Sequence, residues 1–127
     1  MKKFVLASFV ILLSLTSVSA SNSKEAIEPT RVEFDGLSTF CKMIRSGDYD
    51  TVKAFISNGT NINRKSLGLT PTMYAARYNK VNILKLLIEK GAKLNVKSSN
   101  GYTALEYAKM SKANEAYAVL KEALDKK

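Results

Sequence analysis

The chain has no histidine, one cysteine and two prolines in 127 residues. Without imidazole there is no histidine base, no Ser-His or Cys-His dyad and no His-containing metal site. A lone Cys41 allows no internal disulfide. Its neighbours Phe40, Met43 and Ile44 point to a buried, inert thiol, the alternative being pairing with another molecule or a redox role. Acidic residues are also few, 11 against 20 basic ones. Glu89, Glu106, Glu115 and Glu122 stand singly on helical segments, so no pair close in sequence suggests acid–base work or a hard cation. There is no Gly-rich phosphate loop, because Gly68 and Gly101 belong to a repeating turn. Asn58-Gly59-Thr60 fits the glycosylation triplet but coincides with a helix stop. The pattern supports neither catalysis nor a bound cofactor or metal, and the expectation is a protein that is not an enzyme.

Long apolar runs are missing too. The longest, residues 4–15, falls short of the roughly 20 residues a membrane span needs. Lys2 and Lys3 precede it and Thr16-Ser17-Val18-Ser19-Ala20 follows, the arrangement of a secretory signal peptide cleaved after Ala20. A retained anchor is disfavoured by the length of the run and a lipoprotein by the lack of a cysteine after it. Export is therefore expected, to the periplasm in a Gram-negative bacterium and otherwise to the outside. Residues 21–32 are polar, include Pro29 and lack a period, which reads as a flexible linker to a domain over 33–127. Loss of Lys2 and Lys3 takes the net charge from +9 to about +7. For an exported chain that favours anionic lipid headgroups, wall polymer or an acidic protein over nucleic acid. The plainer reading is that lysines such as Lys97, Lys109, Lys112 and Lys121 simply solvate helical faces.

What the chain does have is a repeat. In residues 68–95, Gly68 permits positive φ in a tight turn, Thr70 can cap a helix, and Pro71 suits its first position. Met73, Ala75 and Ala76 give that helix a small-residue face, and the turn falls at Asn79. Val81, Leu84, Leu87 and Ile88 follow at helical spacing until Gly91 stops the second helix. Such a pair cannot bury its own apolar faces and needs copies of itself as neighbours. Gly36, Gly68 and Gly101 recur at intervals of 32 and 33 residues. In the first copy Tyr49, Val52, Phe55 and Ile56 match the central stripe. The third keeps Gly101, Thr103, Leu105 and Ala108, and its second helix, 114–126, buries Ala116, Tyr117, Leu120 and Leu124. The fold class is thus all-α, a stack of three helix–turn–helix repeats at about 33–64, 65–97 and 98–127. Leu87 should pack between Phe55 and Leu120.

Thr70-Pro71, Ala75-Ala76, Leu86-Leu87, Gly91-Ala92 and Asn95, repeated with this period, resemble the ankyrin repeat. The family usually has Leu-His after Thr-Pro, where this chain has Thr72-Met73. That His ties neighbouring turns by hydrogen bonds, so its absence predicts modest stability. The resemblance implies a solenoid that works by binding another protein, as a scaffold or adaptor. An inhibitor or immunity-type protein for an exported enzyme is the first alternative, and a cationic envelope-binding protein the second. The chain is expected to be monomeric. Family partners meet the turn tips and the exposed side of the first helices. By register those positions are Phe34, Asp35, Leu37, Arg45 and Ser46; then Ser66, Leu67, Leu69, Arg77 and Tyr78; then Ser99, Asn100, Tyr102, Met110 and Ser111.

Overall fold

The computed structural model describes residues 36–126. The signal-peptide and linker expectations, with Phe34 and Asp35, lie outside the described residues. Six helices follow as three pairs: α1 Thr39–Ser46 with α2 Tyr49–Ser57, α3 Pro71–Arg77 with α4 Val81–Glu89, and α5 Ala104–Met110 with α6 Asn114–Asp125. Within each pair the two helices pack together. Between pairs, α1 meets α3 and α3 meets α5 in one layer, while α2 meets α4 and α4 meets α6 in the other. The molecule is an all-α repeat stack in which each unit is completed by its neighbour.

Each first helix starts on a hydroxyl. Ser38, Thr70 and Thr103 are extended N-caps whose side chains accept the N–H of Cys41, Met73 and Glu106. Pro71 occupies the first turn of α3, where its missing N–H costs nothing. Each pair then reverses through a left-handed residue at the same register: Gly47, Asn79 and Lys112, with φ of 84°, 55° and 58°. Asn tolerates this conformation, whereas a lysine there costs about 1–2 kcal/mol.

The core runs the length of the stack, with Ile44, Val52, Leu84, Leu87 and Leu120 at 0–1% exposure. On α4 the buried arc is wider than the single stripe read from sequence. Ile83 and Leu86 are buried, and Val81 and Ile88, both assigned to the stripe, are half-buried. The cause is position: α4 has α2 on one side, α6 on the other and α3 beneath, so more than one face is covered. Leu87 and Leu120 are fully enclosed, while Phe55 packs against the same cluster from the first repeat, half-buried, with its ring edge-on to Phe40 at 5.6 Å.

The turns are tied together without histidine, which corrects the expectation that such ties are missing. The Ser38 N–H donates to Ser66 Oγ at 2.8 Å, and the Ser99 N–H donates to the Gly68 carbonyl at 3.0 Å. The Lys93 N–H reaches Asn63 Oδ1 at 2.9 Å. At the histidine position itself, Met73 closes a capping box with its sulfur, which accepts the Thr70 N–H at 3.3 Å, and Glu106 does so with a carboxylate at 2.8 Å. Backbone and small hydroxyl groups have taken over the inter-repeat role.

Candidate protein-binding face

The second hairpin is built on a two-residue turn. Ser66 and Leu69 form an antiparallel bridge, with N–H to carbonyl distances of 2.8 and 3.2 Å. Both residues between them are left-handed, Leu67 at φ 54° and Gly68 at φ 84°, the combination of a type I′ turn. Glycine suits the second place on two counts, its left-handed φ of 84° and the close approach of the third hairpin, since a Cβ at Gly68 would lie 2.6 Å from Ser99 Oγ and 3.0 Å from its Cβ. Leucine is a poor choice at the first place, where Asn or Gly is favoured, and its side chain is 62% exposed. The Tyr74 hydroxyl donates to the Ser66 carbonyl at 2.7 Å beneath the turn. Burial and that hydrogen bond both favour the protonated phenol, and burial pushes its pKa up to about 12.

In the third hairpin the Ser98 N–H donates to the Tyr102 carbonyl at 2.8 Å, enclosing three residues rather than two. The extra residue accounts for the change of interval from 32 to 33. Ser98 Oγ organises this turn. It accepts the N–H groups of Asn100 and Tyr102, each at 3.2 Å, and the Tyr107 hydroxyl at 2.8 Å.

Three residues assigned to the binding face do not reach it. Leu37, Ser66 and Leu69 are buried, at 2%, 9% and 8% exposure. Leu37 and Leu69 hold the same place, just after the turn glycine, and in both cases the next repeat's hairpin approaches that glycine, through Leu67 at Gly36 and Ser99 at Gly68. Tyr102 holds that place in the third repeat, where no described hairpin follows. It is therefore 42% exposed, resting edge-on against Tyr107 at 5.8 Å. Ser66 is held inside by its hydrogen bonds: its N–H and carbonyl close the turn with Leu69, the carbonyl also accepts the Tyr74 hydroxyl, and its Oγ accepts the Ser38 N–H of the first repeat. Phe34 lies outside the described residues.

The structure places Arg45, Ser46, Leu67, Arg77, Tyr78, Ser99, Asn100, Tyr102, Met110 and Ser111 at the surface. Arg45, Arg77 and Met110 share one register on successive first helices, and the Arg77 guanidinium lies 5.6 Å from the centre of the Tyr78 ring. Of the five large exposed hydrophobic residues described, Leu67, Tyr78, Tyr102 and Met110 are on this side, and only Tyr49, at the start of α2, is elsewhere. Sequence reasoning passed over Ser98 and the side chain of Asn79. The pairing of a serine with a downstream tyrosine, Ser66 with Tyr74 and Ser98 with Tyr107, was the available signal for the first.

Elsewhere the chemistry is quiet. Cys41 is 1% exposed, and burial raises its thiol pKa, with a hydrogen bond from Ser38 opposing. A closed, protonated thiol is a poor nucleophile. Glu106 is held below the usual carboxylate range by the Thr103 N–H it accepts in the capping box. Among the described residues no group of three or more acidic or cysteine side chains is placed to hold a metal ion, and no helix is long and apolar enough to cross a membrane.

Stacked helix pairs linked by protruding hairpins, with a two-layer core shared between repeats, define a helical-repeat protein of the kind that presents an extended surface. The family model described as "Ankyrin repeats (3 copies)" matches residues 40–127, and the chain belongs to the ankyrin-repeat family. It is 40% identical over 81 residues to an ankyrin repeat protein of Rickettsia bellii, covering 60% of this chain and 12% of that one. It is 41% identical over 68 residues to human M-phase phosphoprotein 8, covering 51% of this chain and 8% of that protein. A second Rickettsia bellii ankyrin repeat protein is 33% identical over 89 residues, 65% of this chain and 53% of its own length. The chain thus spans a small part of the first two and about half of the third. The family consists typically of non-catalytic modules that bind other proteins.

Proposed function

We propose that this ankyrin module works outside the cytosol, capturing one partner protein on the side formed by its hairpin tips and first helices. The observation that carries the reading is the gathering there of Leu67, Tyr78, Tyr102 and Met110 beside Arg45 and Arg77. Interfaces are enriched in aromatic residues, Met and Arg, and anchors of this kind carry most of the energy. Residues 1–20 support the location, having the basic head, apolar centre and small-residue end of a signal peptide. The test is affinity capture from an envelope fraction with the mature chain and with Tyr78→Ala. A partner retained by the parent and lost by the variant supports the reading, and equal retention refutes it. Attachment to the envelope by charge alone is the second reading, prompted by the net charge of +9, about +7 once Lys2 and Lys3 are removed. It predicts release by moderate salt, which leaves an apolar interface largely intact.

A further inference from the structure

The charges of the folded region are sorted between its two sides. Six of its acidic residues, Asp48, Asp50, Glu89, Glu115, Glu122 and Asp125, lie on the second helices or their caps, where nearby lysines nearly balance them. The two described ion pairs, Lys121 with Asp125 and Lys126 with Glu122, are both on α6. On the described first helices and hairpin arms stand Lys42, Arg45, Lys65, Arg77, Lys97 and Lys109, with Glu106 the one carboxylate among the described residues there. Glu106 is already engaged by the backbone N–H and hydroxyl of Thr103, at 2.8 and 3.2 Å. Arg45 and Arg77 pair with no carboxylate among the described residues. Among the described residues the excess positive charge therefore belongs to one side, the side that also carries Leu67, Tyr78 and Tyr102.

We infer that this face takes an acidic segment of the partner protein, in extended form, with carboxylates placed on Arg45 and Arg77 and apolar side chains between them. The inference rests on the protein-binding role proposed above and names the chemistry of the partner. Equivalent residues on neighbouring helices are about 8–10 Å apart. An extended chain advances about 3.3 Å per residue and its alternate side chains share a face, so carboxylates two positions apart, roughly 6.6 Å along the chain, come within side-chain reach of the two arginines. Arginine suits the task because its planar fork can grip a carboxylate through two parallel hydrogen bonds.

The probe is a short fluorescein-labelled peptide alternating Glu and Leu, with its Gln counterpart as control, followed by anisotropy at physiological salt. The Glu peptide should bind and the Gln peptide should not. Arg45→Glu with Arg77→Glu should weaken binding on the order of tenfold or more, as reversal of charges on a recognition face does. Lys85→Glu with Lys121→Glu makes the same change in net charge on the second helices and should alter binding by less than about twofold. Equal losses in the two double variants would reduce the effect to net charge and overturn the inference, as would equal binding of the Gln peptide. Arginine-dependent binding to phosphatidylcholine vesicles containing phosphatidylglycerol, without peptide binding, would assign the face to lipid headgroups instead. If Tyr78→Ala abolishes capture of the native partner while the arginine reversals spare it, the acidic-segment inference falls and the protein-binding role stands. If neither affects capture, both fall. All four charged positions are exposed, so circular dichroism should report an unchanged fold.

Discussion

The Oδ1 of Asn79 accepts the N–H of Ala116 at 3.1 Å, so the turn of the central repeat caps the last helix of the next. Ala113, the residue at the N-cap of α6, has no side chain that could do so. The Asn79 amide group also donates to Glu115 at 3.2 Å. One asparagine thus reverses its own helix pair at φ 55° and holds the following pair in register.

Two substitutions separate these roles. Asn79→Gly loses the cap but fits the left-handed turn, while Asn79→Ala loses the cap and strains the turn. Loss of a cap costs about 1 kcal/mol, and a left-handed alanine adds about 1–2 kcal/mol. Urea unfolding should rank the parent above Asn79→Gly and Asn79→Ala lowest. Equal midpoints for the two variants would show that conformation at Asn79 contributes little.

Leu87 has 0% exposure between the layers of the central repeat. Leu87→Ala should cost about 2–5 kcal/mol, a large share of the stability of a small domain. An unfolding midpoint near that of the parent would show that the shared column from α2 through α4 to α6 is not where the stack is held.

How far the sequence could be read is plain from this column. Period, caps and Asn79 turn followed from local residue types, and the apolar spacing put Leu87 and Leu120 inside. The burial of Ile83 and Leu86 did not follow, since it depends on helices on both flanks. The same limit explains the face. Local register placed Leu37, Leu69 and Tyr102 alike at the tips, but among the described residues only the first two precede a further hairpin, and only they are buried. The hydrogen bonds that Ser66 and Asn63 accept from other repeats were likewise invisible, because nothing in a residue's own repeat marks its partner across the stack.

Thr72 stands where the family has leucine, and its buried hydroxyl has no hydrogen-bond partner among the described residues. A buried hydroxyl without a hydrogen bond costs about 1–3 kcal/mol. Thr72→Val keeps the shape and removes the polar atom, so thermal unfolding should move up by several degrees. A lower midpoint would mean that the hydroxyl is satisfied in solution.

Alkaline titration should expose Tyr74. Its pKa rises from 10.0 to about 12 on folding, so the native state holds its proton more tightly than the unfolded chain. The contribution is fully present below pH 10 and is lost as pH climbs through 12. Tyr74→Phe also loses the hydrogen bond to Ser66, and should be less stable at neutral pH but decline less between those values. Parallel pH profiles for the two proteins would refute the assignment.

The sharpest test of the binding face is Leu67, because stability and recognition make opposite demands on it. A left-handed leucine at an exposed tip is strained, and such strain persists most often where function needs it. Leu67→Asn places at that turn position a residue that favours it. Relief of the strain should raise stability by about 1 kcal/mol, offset in part by the lost packing of a leucine that lies close to Gly36, where an added Cβ would come within 3.1 Å of its Cδ2. Capture of the native partner should nevertheless weaken, as with Tyr78→Ala. Tyr102→Ala should weaken it too, with a loss of about 0.5–1.5 kcal/mol in stability from its edge-on contact with Tyr107. Charge reversal at Lys121 or Lys126 should change neither property appreciably, since exposed helix pairs contribute about 0.3–0.5 kcal/mol. A Leu67→Asn protein that is more stable and captures its partner as well as the parent would show that the leucine is no anchor. Normal capture by both tyrosine variants, together with loss in the α6 variants, would move the interface to the second helices.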